Sequence, residues 1–208
     1  MTRTYLRRAA RACVGLTAAL TITACGSAND HTTGAGHGMT STPAPSSAGA
    51  SPDTGNAADV MFAQMMIPHH QQAVQMADLA ATRADDPDVK QLAAKIKAAQ
   101  APEIDTMTRW LTAWGKPLPT ASTSTPDMHH GMPGMMTDAD MTTLAAANGR
   151  DFDKQFLTMM IAHHQGAITM AKNELVQGSN TDAKNLAQRI IDDQQAEIDT
   201  MNKILTRL

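Results

Sequence analysis

The chain has 208 residues, a formal net charge of −3 and sixteen methionines, against three Phe, two Trp and one Tyr. An acidic chain with so few aromatic side chains is a poor candidate for nucleic-acid binding, so no nucleic acid is expected among its partners.

Residues 1–24 are predicted to be a lipoprotein signal peptide. Four arginines precede the apolar run "CVGLTAALTIT", which is too short to span a bilayer as a helix. The sequence "ITAC" then ends at Cys25 and is typical of a bacterial lipobox, whose cysteine carries lipid; an ordinary signal peptide cut nearby is the alternative. The protein is therefore expected on the extracytoplasmic face of the cell membrane, anchored through Cys25.

Cleavage at this point removes Cys13 and four arginines, which takes the formal charge from −3 to −7 and leaves no free thiol for a disulfide or a thiolate site. Residues 25–55 are rich in Ser, Thr, Gly and Pro and are predicted to be a disordered tether. The remaining residues, 56–208, are enough for one domain.

This domain contains an internal duplication. "DVMFAQMMIPHHQQAVQMA" (59–77) matches "DKQFLTMMIAHHQGAITMA" (153–171), and residues 88–111 match 182–205 in the same way. The offset is 94 throughout and needs no gap, so the repeats cover about 57–114 and 151–208.

Each repeat is predicted to be a helical hairpin. Apolar residues recur at helical spacing, "RADDPD" and "VQGSNTD" break the pattern, Pro87 suits a first helical turn and Gly178 a helix end. Two hairpins predict an all-α fold, a four-helix bundle, with a shorter helix over 138–147. Residues 115–137 form a Met/His-rich loop between the repeats.

Histidine and glutamate interrupt the apolar stripes. At about 100° per residue, His69 falls in the middle of the first stripe and His70 at its edge. Counting outward from the turn places Glu103 level with His69, and Met65 level with Met107 about one turn further on. The second repeat supplies the equivalent cluster, which consists of Met159, His163, Glu197 and Met201.

The two clusters are predicted to bind a metal, and two simpler explanations compete with this prediction. Methionines on an apolar stripe usually fill a core, and a histidine–glutamate pair across a hairpin can be a buried ion pair. These explanations leave His70, His164 and the loop unexplained. A secondary metal site is predicted in the loop from Met128, His129, His130, Met132, Met135 and Met136.

Thioether and imidazole ligands favour copper, Cu(I) over Cu(II), while zinc or iron would leave the methionines unused. The paired M-M-I-x-H-H-Q motif resembles the domain of unknown function 305 family, whose ferritin-like helical bundles are commonly exported and in some members bind copper. The resemblance implies as metal ligands Met65, Met66, His69, His70 and Met76, with Met159, Met160, His163, His164 and Met170. Pro68 and Pro102 depart from the second repeat, which has alanine at both positions.

The function expected from these features is copper binding at the membrane surface, for buffering, chaperoning or resistance, with other copper-handling proteins as partners. No catalytic residue is expected, because the sequence lacks the Glu-x-x-His motif of di-metal oxidases. A metal-free interaction module on a tether and, behind it, such an oxidase are the alternatives. The number of ions and the oligomeric state are left open.

Overall fold

Five α-helices form the regular structure in a computed structural model that describes residues 54–119 and 132–208. They are α1 (Ala57–Arg83), α2 (Pro87–Ala113), α3 (Asp138–Ala146), α4 (Gly149–Gln177) and α5 (Thr181–Leu205). No strand occurs in these two ranges, and the predicted all-α fold is confirmed. The described residues belong to one structural unit, Ser47–Leu208; the signal peptide, Cys25 and nearly all of the tether lie outside them.

Polar side chains define where the helices begin. The side chain of Asn56 accepts hydrogen bonds from the first turn of α1, and Asp59 bonds back to the Asn56 backbone at 2.5 Å, which completes a capping box. Asp86 caps α2 directly before Pro87, and Asn180 caps α5. The predicted breaks between the helices of both hairpins are therefore confirmed.

The two prolines that distinguish the first repeat lie inside continuous helices. Pro68 is within α1 and Pro102 within α2, and neither ends its helix. At Pro102 the carbonyl accepts a hydrogen bond from the Thr106 hydroxyl at 2.8 Å. The prolines therefore leave the two repeats with the same arrangement of long helices.

The four long helices form the bundle. In each repeat the two helices pack against each other along the hairpin, and α1 also packs against α4, whereas α2 and α5 touch little. The short α3 lies against α1 and α4. Within the described ranges, no helix is long and apolar enough to cross a membrane.

The core divides into two apolar clusters. One lies at the end of the bundle that α3 covers, here called the α3 end, and includes Met76, Ile96, Leu144, Phe152, Phe156, Met160 and Met201. The other lies where α1 begins, here called the far end, and includes Phe62, Met66, Met107, Leu111, Met170 and Ile190. Burial of these side chains is the main source of the bundle's stability.

A buried aspartate at the start of each repeat joins the two hairpins. Asp153 of α4 accepts from the backbone N–H groups of Asp85 and Asp86, the latter at 2.9 Å, in the turn of the first hairpin. Its counterpart Asp59 accepts from Ser179 and Asn180 in the turn of the second. Each hairpin therefore holds the turn of the other.

Replacing Asp153 with alanine should destabilise the domain by about 1.5–3 kcal/mol, because hydrogen bonds between a carboxylate and two turn N–H groups are lost. Urea unfolding followed by circular dichroism measures this cost. The control is Asp151→Ala, which removes an exposed acidic residue from the same helical turn. Equal effects of the two changes would show that only the charge near the helix N-terminus matters.

Candidate metal centre

A polar layer separates the two apolar clusters. Each of the four long helices contributes two side chains to it: His69 and His70, Gln100 and Glu103, His163 and His164, and Gln194 and Glu197. All four imidazoles have 0% exposure. Burying so many polar groups in the middle of a bundle costs free energy unless each of them has a hydrogen-bond partner or a metal ion.

Within each hairpin a histidine is bonded to a glutamate. His70 Nε2 donates to Glu103 Oε2 at 2.7 Å, and His164 Nε2 donates to Glu197 Oε2 at 2.7 Å. The expected pairing of Glu103 with His69 is therefore wrong. Successive side chains on a helix differ by about 100°, and the rotation of α1 in the bundle turns His70 towards α2 and His69 towards α4.

The other two histidines meet across the bundle. The rings of His69 and His163 have their centroids 3.7 Å apart and are tilted by 38°. Burial, and then the neighbouring His70, lower the pKa of His69 to about 3. Burial, followed by the charge of His69, also holds the pKa of His163 well below its ordinary value. Both rings are therefore neutral at physiological pH, the form in which imidazole binds metals.

Residues 132–136, here called the strap, cross the bundle beside this histidine pair. The carbonyl oxygen of Pro133 accepts a hydrogen bond from His69 Nε2 at 3.1 Å. Gln72, one turn after His69, fixes the end of the strap with two bonds. Its Nε2 donates to the Met136 carbonyl at 2.8 Å, and its Oε1 accepts from the Met136 N–H at 2.7 Å.

The strap needs two glycines to lie this close to α4. A Cβ atom at Gly166 would come within 1.9 Å of the Pro133 oxygen. Gly134 has φ of +77° and approaches the Ala162 carbonyl so closely that a Cβ there would meet it at 2.5 Å. Gly166 stands 94 residues after Gln72, so the two repeats use one position differently: Gln72 holds the strap and Gly166 makes room for it.

Several imidazole nitrogens of the layer lack a hydrogen-bond partner: Nδ1 of His69, His70 and His164, and both nitrogens of His163. Carbonyl and carboxylate oxygens only accept, so Nε2 carries the proton in the three bonded rings. When such a ring is neutral, its Nδ1 keeps a free lone pair. Metal-binding histidines usually donate their other N–H to a carboxylate or carbonyl in this way, so the donor set fits a metal ion.

The layer also contains two residues that sequence reasoning missed. Gln100 and Gln194 are 2% and 3% exposed, and both oxygens and the Gln100 nitrogen are without a hydrogen-bond partner. The sequence did contain a signal of their burial, because both glutamines stand at the same position of the repeat and four residues after an isoleucine of the apolar stripe. Their amides supply further polar atoms beside the imidazoles.

The predicted methionine ligands lie above and below this layer. Met66, Met107 and Met170 are buried in the far-end cluster, and Met76, Met160 and Met201 in the α3-end cluster. Met65 and Met159 are partly buried at the edges of these clusters. In the described ranges, no group of three or more His, Cys, Asp or Glu side chains is arranged to hold a metal ion. An ion in the polar layer would therefore need thioether ligands or would bind to fewer than three such side chains.

The structure divides the predicted loop site. Met132, Met135 and Met136 belong to the strap and are partly buried, and the Met136 backbone is bonded to Gln72. Met128, His129 and His130 fall outside the described residues. Three of the six predicted loop ligands therefore lie on a segment that packs against the bundle.

Comparisons with known proteins identify relatives of this chain. The family described as "Domain of unknown function (DUF305)" matches residues 59–205. The structure of a DUF305 protein from Streptomyces coelicolor, inferred to be secreted, is 35% identical with a TM-score of 0.65, covering 76% of this chain and 95% of that one. A DUF305 fragment from Deinococcus radiodurans is 32% identical with a TM-score of 0.68, covering 74% of this chain and 99% of that one.

Another structural relative, CopM, has been solved with copper bound. Its Cu(I)-bound form is 35% identical with a TM-score of 0.60, and its Cu(II)-bound form 36% identical with a TM-score of 0.63; each match covers 72% of this chain and 96% of CopM. Protein L153 of Acanthamoeba polyphaga mimivirus, an uncharacterized protein, is 49% identical over 53 residues, 26% of this chain. That match spans about a third of L153, 35% of its length.

Proposed function

This chain belongs to the DUF305 family, and on that premise we propose that it is an extracytoplasmic, lipid-anchored copper-binding protein whose imidazoles and thioethers hold the metal. The observation that carries the proposal is the set of buried imidazoles with fixed N–H donors and free Nδ1 atoms. The copper-bound structures of a relative support it, because they contain copper in the same kind of bundle. Lipid on Cys25 would hold the domain at the membrane surface for copper buffering, chaperoning or resistance.

The surroundings of the layer favour Cu(I) over Cu(II). Neutral imidazoles and thioethers bring no charge into the bundle, and the two glutamates of the layer are already bonded to histidine and are partly exposed, at 18% and 19%. Burying a single positive charge costs less than burying two, and soft thioether ligands prefer the monovalent ion.

The proposal is tested by titrating Cu(I) into the chain from residue 26 onward, which contains the whole described structure, in competition with a chromophoric chelator. A Met128→Ser/His129→Ser/His130→Ser variant serves as the comparison, because it removes the loop donors and leaves the strap intact. We expect both proteins to withdraw copper from the chelator, with metal content confirmed by mass spectrometry.

Two results would contradict the proposal. If the unaltered chain leaves all of the copper with the chelator, the domain does not bind copper tightly. If only the triple variant fails to bind, the copper belongs to the loop, and the polar layer is a structural feature of the core.

A further inference from the structure

A cavity of about 340 Å³ opens at the far end, between the start of α1 and the end of α4. Three methionines line it, the 58% exposed Met61 at the surface, the partly buried Met65, and the buried Met170. Glu174 and Pro133 also line it. Three thioethers and a carboxyl group thus share one cavity, and Pro133 links it to the strap over His69.

The cavity breaks the symmetry of the duplication. Met65 and Met170 have counterparts in Met159 and Met76, but Met61 corresponds to Gln155 and Glu174 to Ala80. At the α3 end, the equivalent region is occupied by α3, whose Leu144 is buried in the cluster there. Only the far end therefore combines an exposed thioether and a buried carboxyl with an open cavity, within the described part of the chain.

Glu174 is an unusual residue for this place. It is 2% exposed and lies beside the Asp59 carboxyl. Burial, followed by the hydrogen bond and the charge of Asp59, raises the pKa of Glu174 to about 8. The next turn holds Gly178, where a Cβ would lie 2.1 Å from a Glu174 oxygen; the first repeat has the pair Ala80 and Ala84 instead. A buried carboxyl that faces a second carboxyl is costly to ionise, and a cation in the cavity would stabilise its charged form.

The cavity leads from the surface towards the polar layer. Met61, Met65 and His69 follow one another at intervals of four residues, so they lie along one side of α1. Along this line the side chains pass from exposed to partly buried to fully buried. Pro133, whose carbonyl accepts the hydrogen bond from His69, also lines the cavity.

We propose that this cavity is a loading site for Cu(I), in which the thioethers of Met61, Met65 and Met170 and the carboxylate of Glu174 receive the ion before it passes under the strap to the histidines. The inference rests on the proposed function and adds to it a direction of entry. Thioethers are soft ligands that suit Cu(I). When the ion binds, the Glu174 carboxyl releases its proton to solvent and its carboxylate neutralises the charge of the ion, and the proton returns when the ion moves on. The exchange moves one ion between ligands and needs no oxidant or reductant.

The test is the rate at which the chain from residue 26 onward takes Cu(I) from a chromophoric chelator, followed by stopped-flow absorbance. The variant M61Q/E174A places at each position the residue that the other repeat holds there, Gln155 for Met61 and Ala80 for Glu174. The fold should therefore tolerate both changes. We expect uptake about tenfold slower, the loss typical when a group supporting a metal is removed. The copper content at saturation of the histidine layer should stay the same.

A matched control is M141L, which removes a thioether from α3 at the opposite end and should leave the rate unchanged. Should the double variant unfold, M61Q alone alters only an exposed side chain and is expected to slow uptake as well. Parent-like uptake by the variants, or equal slowing by M141L, overturns the loading site while leaving copper binding intact. Failure of the unaltered chain to take up any Cu(I) overturns the proposed function and the loading site together.

Discussion

Replacing His69 and His163 together with leucine is expected to abolish tight Cu(I) binding and, at the same time, to stabilise the metal-free domain. The two rings hold three nitrogen atoms without hydrogen-bond partners, and each such buried atom costs about 1–3 kcal/mol. Leucine removes these atoms and joins the two apolar clusters. The loss of the hydrogen bond to Pro133 and the imperfect fit of two branched side chains in the space of two flat rings offset much of the gain. A net increase of about 1–3 kcal/mol in the free energy of unfolding is therefore expected.

The gain should grow in acid. The folded-state pKa of His69 is about 3, against 6.5 for a free histidine, and that of His163 is also far below 6.5. Below pH 6.5 the unfolded chain therefore binds more protons than the folded one, and stability falls as pH decreases. The buried histidine pair therefore destabilises the folded domain increasingly as pH falls from 6.5 towards the folded-state pKa values, and the leucine variant lacks this penalty.

Urea unfolding of the metal-free proteins between pH 7 and 4 measures both effects, and chelator competition measures the copper affinity. A matched control, His69→Gln/His163→Gln, keeps polar groups in the layer and should lose copper binding without gaining stability. If the leucine variant retained the copper affinity of the parent, the histidine pair could not be the centre of the site. If it were less stable than the parent, the unbonded nitrogens would carry little cost.

Replacing Gly166 with alanine is expected to displace the strap and expose His69. The new Cβ would lie 1.9 Å from the Pro133 oxygen and 2.8 Å from the Gly134 Cα, and both are backbone atoms that cannot move independently of the strap. His69 would then lose its carbonyl partner, and Gln72 the two bonds to Met136. Overpacking of this kind destabilises a domain by about 1–3 kcal/mol.

Modification of histidines by diethyl pyrocarbonate, mapped by mass spectrometry, reports the exposure of His69 in each protein. The control is Gln72→Ala, which removes the two bonds at the equivalent position without adding a Cβ to the crossing. It should reduce the free energy that holds the strap on the bundle by about 0.5–1.5 kcal/mol per lost hydrogen bond. His69 should stay largely protected from the reagent. A protected His69 in the Gly166→Ala variant would mean that the strap does not cover the pair.

Much of the fold was predictable from local patterns. The period of the apolar residues predicts helices, and Pro87 and the polar caps mark where they start, because both signals act through neighbours in the chain. The offset of 94 residues predicts two equivalent hairpins, and the five helices observed agree with that prediction. Cys25 and the tether lie outside the described residues, so the lipid anchor stays a prediction.

The composition of the site was also visible in the sequence, since histidine and glutamate interrupt apolar stripes in both repeats. The pairing within it was not. The sequence gives the angle between His69 and His70 on α1, but the rotation of α1 against its neighbours decides which of them meets Glu103. That rotation follows from the packing of whole helix surfaces, which no single residue specifies.

Contacts between distant segments were decided by the tertiary structure alone. The strap reaches Gly166 and Gln72 from another part of the chain, and Asp153 bonds a turn of the opposite hairpin. Sequence periodicity describes how one helix repeats, and it carries no information about which loop a helix will meet. The sequence by itself therefore determined the helices, the duplication and the polar side chains on the apolar stripes, whereas the folded bundle decided which imidazoles keep a free nitrogen and which methionines line the far-end cavity.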